Sequence, residues 1–491
     1  MSGRIWSVYQ LAIFDWIAGG SGSAVVQARA GCAKTTTAVE GLRHIPTGKT
    51  AAYVAFAKAN VDDLQEKVPE GFDPRNVLTL HSHAYKALRA VYPKARVDGR
   101  KTTAILKAKL SAEKPEDAWP KIKLAGKLAS LAKNMLVAPD DADGLAMLLD
   151  AFDMNASAKE RATIVALTQH AMRAALADKS TIDFDDMIWI PVVENLSFRK
   201  FDFLFVDEAQ DLNACQIQIV LRSIRRGGRV LAIGDDRQAI YQFRGADSDA
   251  MANIVRALNA RTLPLSITYR CPKSVVAEVS EIVPDYRAHE SNADGEVVRD
   301  LKPDAMLEKA LPGDFILSRT NAPLLRIAFG LIRQGTRCNI AGRDIGDMLT
   351  SFVKKSKSTT IDALLDYVDT WYAQEAERLI KRDPDADTSV LDDKAECIRA
   401  LCENVQTISE LLAAIDALFP DRIDDAGRVV LSTVHRAKGL ERERVWMLRD
   451  TFLRRRRSKD GGFVEPGAEE YNLFYVACTR AKKSLFMVRG K

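Results

Sequence analysis

The 491-residue sequence contains no apolar run of the eighteen or so residues that a membrane-spanning helix needs. Its seven cysteines (Cys32, Cys215, Cys271, Cys338, Cys397, Cys402 and Cys478) are odd in number, scattered and never spaced as CxxC. That argues against a disulfide framework and against a cysteine-based zinc site. The opening MSGRIWSVYQLAIFDWIAGG is broken by Asp15 and lacks a signal-peptide layout, so an intracellular, cytoplasmic protein with no membrane partner is expected. No repeat of fixed short period is present. Charge of one sign is not in large excess either: 71 Lys and Arg against 66 Asp and Glu leave +5, which by itself demands no nucleic acid. Hydrophobic residues make up 47% and are spread along the whole chain, which excludes low-complexity disorder and allows several buried cores.

The near-neutral sum hides strong local charge. Residues 86–133 carry a local +9, residues 358–427 a local −11, and residues 428–491 again +9. Short apolar runs bounded by turn residues recur at 23–28, 51–56, 202–207, 229–233, 314–318, 428–433 and 484–489. They read as buried strands alternating with helices, the pattern of parallel α/β sheets. Two stretches, 86–180 and 356–427, read as mainly helical; in the second, Ile361, Leu364, Leu365, Val368 and Tyr372 share one helical face.

Residues 28–35, ARAGCAKT, follow a predicted strand and open a predicted helix. Backbone N–H groups of Gly31, Cys32, Ala33, Lys34, Thr35 and Thr36 at a helix N-terminus can cradle phosphate, with Lys34 reaching the β/γ-phosphates and Thr35 holding Mg²⁺. Both glycines of the GxxxxGK[ST] pattern are missing, since Ala28 and Ala33 stand in their places. Phe205-Val206-Asp207-Glu208 then supplies what a nucleotide hydrolase needs beside such a loop. Asp207 can hold Mg²⁺, and Glu208 can orient and deprotonate the attacking water.

With DEAQD at 207–211, the segments GDDRQAIYQFRGAD (234–247), TYR (268–270), TVHRAKGLE (433–441) and NLFYVACTRAKK (472–483) form an ordered set. The set resembles the motifs of UvrD/Rep/PcrA-type superfamily 1A DNA helicases. The resemblance implies two RecA-like parallel-sheet domains of the P-loop NTPase class with two mainly helical insertions. Domain 1A would comprise 1–85 and 181–265, insertion 1B 86–180, domain 2A 266–355 and 428–491, and a short 2B-like insertion 356–427. ATP would be hydrolysed in the cleft between 1A and 2A.

By the same resemblance Gln10 reads adenine, Gln238 senses the γ-phosphate, Tyr269 stacks on adenine, Arg270 and Arg480 act as arginine fingers, and Glu441 contacts the ribose or phosphate region. Phe56, Lys58, Thr79, His81, Ser82, Tyr241, Phe243, Arg244, Arg319, Thr433 and His435 form the nucleic-acid track. Tyr241, Phe243 and Arg244 in YQFRGA mix stacking faces with a cation, which suits splayed bases and phosphate. Lys107, Lys109, Lys121, Lys123 and Lys127 are expected to meet the duplex or strand, as is the run Arg454–Arg457. His83 and His289 read as structural histidines.

The expectation is therefore an ATP- and Mg²⁺-dependent helicase or translocase moving 3′→5′ on single-stranded DNA, with single-stranded and tailed duplex DNA as partners. The sequence ends at Lys491, where relatives usually continue into a duplex-prying hairpin, so another element or a protein partner is expected to help with loading or strand separation. The alternatives are a nucleic-acid-binding regulatory subunit switched by ATP, or a translocase without intrinsic unwinding. The pathway stays open between repair, replication restart and phage or anti-phage function.

Overall fold

The computed structural model describes residues 5–152, 154, 156, 158–240, 249–382, 388–403, 405–420, 427–453, 456–457 and 463–489. The chain divides into two compact units, Met1–Ser266 and Ile267–Lys491.

In the first unit the strands are β1 (Ala24–Ala28), β2 (Ala51–Val54), β3 (Val77–Leu78), the short mutually paired β4 (Arg96–Val97) and β5 (Thr181–Ile182), β6 (Phe201–Val206), β7 (Ile224–Gly234) and β8 (Arg261–Leu265). Six of them form one parallel sheet in the order β3-β2-β6-β7-β1-β8. The helices are α1 (Val8–Gly19), α2 (Lys34–Gly41), α3 (Lys58–Lys67), α4 (Leu80–Val91), α5 (Lys101–Lys109), α6 (Pro115–Met135), α7 (Ala142–Ala151), α8 (Ala158–Ala177), α9 (Phe184–Val193), α10 (Ala214–Arg222) and α11 (Ala250–Leu258).

The continuous apolar runs of the sequence follow from burial on both faces of this sheet. Alternate side chains point to opposite sides. Val25, Val54, Leu204, Val206 and Val230 join a core with Leu106 of α5, Ile122 of α6 and Met172 of α8. Val26, Tyr53, Phe203, Phe205 and Leu231 join another with Ile13 and Ile17 of α1 and Ala38 of α2. The helical stretch 86–180 thus shares its hydrophobic core with the sheet.

Two lysines of the basic segment are consumed inside this unit. Lys101 Nζ bonds Asp186 Oδ2 at 2.8 Å and the carbonyls of Ala175 and Asp178. Lys133 Nζ lies 2.7 Å from Asp186 Oδ1 and 3.0 Å from Asp183 Oδ2. These contacts tie α5, α6 and α8 to the start of α9, so the local +9 overstates the charge presented to solvent.

In the second unit β9 (Ile267–Thr268) precedes α12 (Lys273–Glu278) and pairs with β10 (Arg287–Ala288). There follow β11 (Glu296–Leu301), α13 (Pro303–Lys309), β12 (Phe315–Ser318), α14 (Ala322–Arg333), β13 (Cys338–Ile340), α15 (Arg343–Ser356), α16 (Ile361–Arg382), α17 (Ser389–Cys402) and α18 (Ile408–Leu418). The unit closes with β14 (Val429–Thr433), α19 (Val434–Ala437), β15 (Arg442–Leu448), the antiparallel pair β16 (Arg456–Arg457) and β17 (Phe463–Val464), α20 (Ala468–Cys478) and β18 (Ala481–Val488). Its main sheet is parallel, in the order β11-β18-β15-β12-β14-β13. Leu364 and Val368 are fully buried in the core that holds Ile316, Leu431 and Trp446, with Ile361, Leu365 and Tyr372 packed against it. The face read from the sequence is therefore the face α16 buries.

All seven apolar runs form strands of these two sheets. No helix among the described residues is long and apolar enough to cross a membrane. Among them, no group of three or more His, Cys, Asp or Glu side chains is arranged to hold a metal ion.

Candidate nucleotide and nucleic-acid sites

In an open parallel sheet the ligand crevice lies at the carboxyl ends of the strands, where loops lead into helices. Three adjacent strands of the first unit deliver the expected chemistry there. β1 leads to the phosphate loop, β6 to Asp207 and Glu208, and β7, lying between them, to Asp235 and Gln238.

The loop after β1 begins at Arg29, whose buried guanidinium pairs with Asp236 at 2.6 Å and Asp235 at 3.4 Å. Gly31 (φ 67°) and Ala33 (φ 62°) both adopt the left-handed conformation, and α2 starts directly afterwards at Lys34. The loop therefore turns as a glycine would turn it, with alanine carrying a strain of roughly 1–2 kcal/mol. Thr37 Oγ1 donates to the Ala33 carbonyl at 2.9 Å, which pins the turn from within the helix. Thr35 is exposed on the first turn.

Lys34 Nζ lies 3.6 Å from Glu208 Oε1. Burial alone would lower its pKa; the carboxylates of Glu208, Asp235 and Asp207 outweigh burial and hold it above the ordinary lysine value. Asp207 is nearly buried and accepts from Tyr53 Oη at 3.0 Å and from the Glu208 N–H at 2.9 Å. Burial, then the negative charge of Glu208, pushes its carboxyl up to about 6, against the pull of Lys34 and Tyr53.

Glu208 itself sits at φ 50° and accepts from Gln210 Nε2 at 2.6 Å. Gln210 Oε1 in turn accepts from the Asp235 N–H at 3.0 Å. A Cβ on Gly234 would stand 2.6 Å from that same Oε1, so the glycine makes room for the bridge. Gln238 Nε2 donates to Asp235 Oδ2 at 2.7 Å. Gln10 is buried: its Oε1 accepts from the Ser7 N–H as part of the α1 capping box, and its Nε2 donates to Thr37 Oγ1. Both ends of the amide expected to read adenine are thus engaged within the unit.

Four residues of this site were not singled out from the sequence: Arg29, Tyr53, Gln210 and Asp235. Tyr53 reads as a strand residue with no motif around it, and Arg29 as a variable position inside the phosphate-loop segment 28–35. Gln210 and Asp235 lie within DEAQD and GDDRQ, so their signal was present.

In the second unit Arg270 Nε pairs with Glu441 at 2.6 Å and its Nη1 donates to the Thr479 carbonyl at 3.1 Å. Lys482 meets the other Glu441 oxygen at 2.9 Å. Burial would raise the Glu441 carboxyl, and Arg270 and Lys482 hold it below its usual range instead. Arg480 is buried and donates to the carbonyls of Val476 and Leu440 and to Thr479 Oγ1. Burial, with Arg270 nearby, lowers its pKa to about 10. Tyr269 is exposed on one side and packs against His289 with ring centroids 4.8 Å apart. His289, read as structural, therefore sets the attitude of the candidate stacking ring.

The described track residues cluster by strand end. Phe56, 44% exposed, and exposed Lys58 follow β2, while Thr79 and His81 follow its parallel neighbour β3. Arg319 follows β12, while Thr433 and His435 end and follow its neighbour β14, with Ser318 paired to Thr433. Some of these side chains have local work. Thr79 and Ser82 cap α4 reciprocally, and Arg319 pairs with Glu470 at 3.1 Å. Tyr241, Phe243 and Arg244 lie outside the described residues, as do Arg454 and Arg455.

The sequence matches the family described as UvrD/REP helicase N-terminal domain over residues 15–258 and the UvrD-like helicase C-terminal domain over residues 332–490. It is 31% identical over 117 residues to the ATP-dependent DNA helicase PcrA of Bacillus subtilis, covering 22% of this chain and 16% of that protein. It is 22% identical over 520 aligned positions to the F-box DNA helicase protein 1 of Schizosaccharomyces pombe, covering 94% of this chain and 55% of the relative. Against PcrA of Leuconostoc citreum it is 30% identical over 128 residues, or 24% of this chain and 17% of the relative. Each of these relatives is matched over less than two thirds of its own length. Ordered motifs, two α/β parallel sheets and these matches agree: the chain belongs to the UvrD/Rep/PcrA-like superfamily 1 helicases.

Proposed function

We infer that the chain is an ATP- and Mg²⁺-dependent DNA helicase or translocase that moves 3′→5′ along single-stranded DNA and opens tailed duplex. The observation that carries this reading is the approach of Lys34 to Glu208, 3.6 Å, beside buried Asp207 at the carboxyl ends of one parallel sheet.

Lys34, protonated at neutral pH, is suited to the β/γ-phosphates, and the N–H groups opening α2 point to the same anion. Glu208, held by Gln210, orients the attacking water and takes its proton. Asp207 and the Thr35 hydroxyl would hold Mg²⁺. The fit is good, because two adjacent carboxylates face one ammonium and the surplus negative charge already pushes the Asp207 carboxyl up. Bound there, the ion would neutralise charge on the phosphate oxygens. Following the family, Tyr269, Arg270, Arg480 and Glu441 of the second unit would complete the nucleotide site, and the residues after β2, β3, β12 and β14 would hold the strand. Arg270, already paired with Glu441, must leave that partner to act as a finger.

The test combines ATP turnover with and without single-stranded DNA and unwinding of 3′-tailed, 5′-tailed and blunt duplexes. Stimulated turnover, its loss in Lys34→Ala and Glu208→Gln, and opening of the 3′-tailed substrate are expected. Stimulated turnover without unwinding would make the chain a translocase. Absence of stimulation would leave an ATP-switched binding subunit, and opening from a 5′ tail alone would reverse the polarity.

A further inference from the structure

The loop that carries Arg319 is held by a residue far from it in sequence. It runs from Ser318, the last residue of β12, to Ala322, the first of α14. An α-helix leaves its first N–H groups without partners inside the helix. At α14 the accounting is short. Pro323 has no N–H, and Leu324 and Leu325 donate to the Asn321 carbonyl at 3.0 and 3.3 Å. The N–H groups of Asn321 and Ala322 remain, and both donate to Asp393 of α17, at 3.2 and 2.7 Å. Asn321 Nδ2 donates to the same carboxylate at 3.0 Å. Asn321, the N-cap residue, makes no cap bond with its own side chain, so α14 takes its cap from another helix.

The rest of the loop is fixed as closely. The Arg319 N–H donates to Thr451 Oγ1 at 3.0 Å, and that of Thr320 to Ser318 Oγ at 3.3 Å. Every backbone N–H from Arg319 to Ala322 is therefore engaged, with Asp393 taking the last two. Among the described residues the Arg319 side chain rests on Glu470 through Nε, which leaves the Nη groups of the fork for a phosphate. Asn321 Oδ1 is left buried with no hydrogen bond among the described residues. Unsatisfied buried acceptors are uncommon, and they gather where geometry serves function more than stability.

Elsewhere α17 grips α14 without touching this loop. Arg326 pairs with Glu396, one turn beyond Asp393. We propose that Asp393 is a positioning residue for the strand contact at Arg319. Its carboxylate accepts from three N–H groups at once and complements the positive end of α14. It fixes where β12 hands over to α14, and with it the direction in which Arg319 leaves the loop. The acidic stretch 356–427 thereby acts on the track through one side chain. The proposal rests on the reading of Arg319 as a strand contact; the capping geometry does not.

The test uses the full chain, a labelled oligothymidylate at several salt concentrations, and melting temperature as the check on folding. Arg319→Gln should weaken binding roughly 10- to 100-fold. It should also lower the slope of log affinity against log salt by about 0.7, the value for one phosphate contact on a single strand. Asp393→Ala should reproduce that slope change with a loss of affinity no larger, and adding it to Arg319→Gln should change neither further. Asp393→Asn, which keeps one acceptor oxygen, should fall between wild type and Asp393→Ala. Glu396→Gln loosens the same two helices away from the loop and should stay within about twofold. A cap that serves stability alone would lower the melting temperature and leave the slope untouched. Should Asp393→Ala fail to fold, Asp393→Asn, alone and with Arg319→Gln, carries the same comparison. Unchanged affinity and slope in the Asp393 variants, with Arg319→Gln impaired, overturns the positioning role and leaves the strand contact standing. Additive losses in the double variant, or an equal loss in Glu396→Gln, would also overturn it. An unimpaired Arg319→Gln would remove Arg319 from the track and, with it, the role given to Asp393.

Discussion

The Gln210 amide donates to the Glu208 carboxylate at 2.6 Å, and its oxygen accepts from the backbone of Asp235 at 3.0 Å. The carboxylate proposed to handle water and the segment that carries Gln238 are thus joined by one side chain. Gln210→Ala removes a hydrogen bond to a charged group, worth about 1.5–3 kcal/mol, and strands a buried N–H. ATP turnover should fall roughly 10- to 100-fold, with a smaller change in the KM for ATP. Steady-state hydrolysis checks this; an unaltered kcat would show that Glu208 needs no such support.

Ala33 at φ 62° gives a prediction of opposite sign. Glycine there would relieve roughly 1–2 kcal/mol of left-handed strain, against about 0.4–1 kcal/mol from greater freedom of the unfolded chain. Ala33→Gly should therefore be neutral to stabilising by up to about 1.6 kcal/mol, and Ala33→Val strongly destabilising. Urea unfolding of the two variants decides it. A clear loss of stability in Ala33→Gly would be incompatible with the loop geometry described.

Lysines of the basic segment should behave in two classes. Lys133→Met leaves Asp183 and part of Asp186 unpaired in the core and should cost about 3–5 kcal/mol. Lys109→Gln, on an exposed position, should stay within about 0.5 kcal/mol. Equal melting temperatures for both variants would contradict the buried network.

His83 sets a pH dependence. Its Nε2 lies 2.9 Å from Ser223 Oγ, and that hydroxyl gives its own hydrogen to the Ile219 carbonyl, so Nε2 is the donor. Burial, with Lys86 and Arg199 nearby, lowers its pKa to about 4. An unfolded histidine titrates near 6.5. The contribution of neutral His83 is fully present above that pH and declines as pH falls towards 4, because the unfolded chain takes a proton the folded one refuses. Between pH 7.5 and 5 this amounts to about 2 kcal/mol. Urea midpoints of wild type and His83→Asn at the two pH values should diverge accordingly; parallel shifts would show that His83 is not the titrating group.

Strands buried on both faces were legible because each carries an unbroken run of apolar residues, as in FLFV of β6. β3 is only two residues long, and β15 opens with charged Arg442, Glu443 and Arg444, so neither has that signature. β8 contains Pro264, tolerated because β8 lies at the edge of its sheet. In the candidate site, the groups proposed to touch phosphate or water fall in recognisable segments. The supports do not, since a tyrosine in a strand looks the same whether or not its hydroxyl reaches a carboxylate. Nor did charge counting separate Lys133 from Lys123, one buried against two aspartates and the other exposed. Sequence position on α6 is similar for both; only the packing of α9 distinguishes them.

That packing has a mechanical consequence. Asp183 and Asp186 at the head of α9 anchor Lys101 and Lys133, and the chain then runs through α9 and β6 to end at Asp207. A pull on the head of α9 would load buried ion pairs and a shared hydrophobic core rather than a hinge. The helical stretch is braced like a bracket, its buried ion pairs one helix and one strand away from the carboxylate beside Lys34.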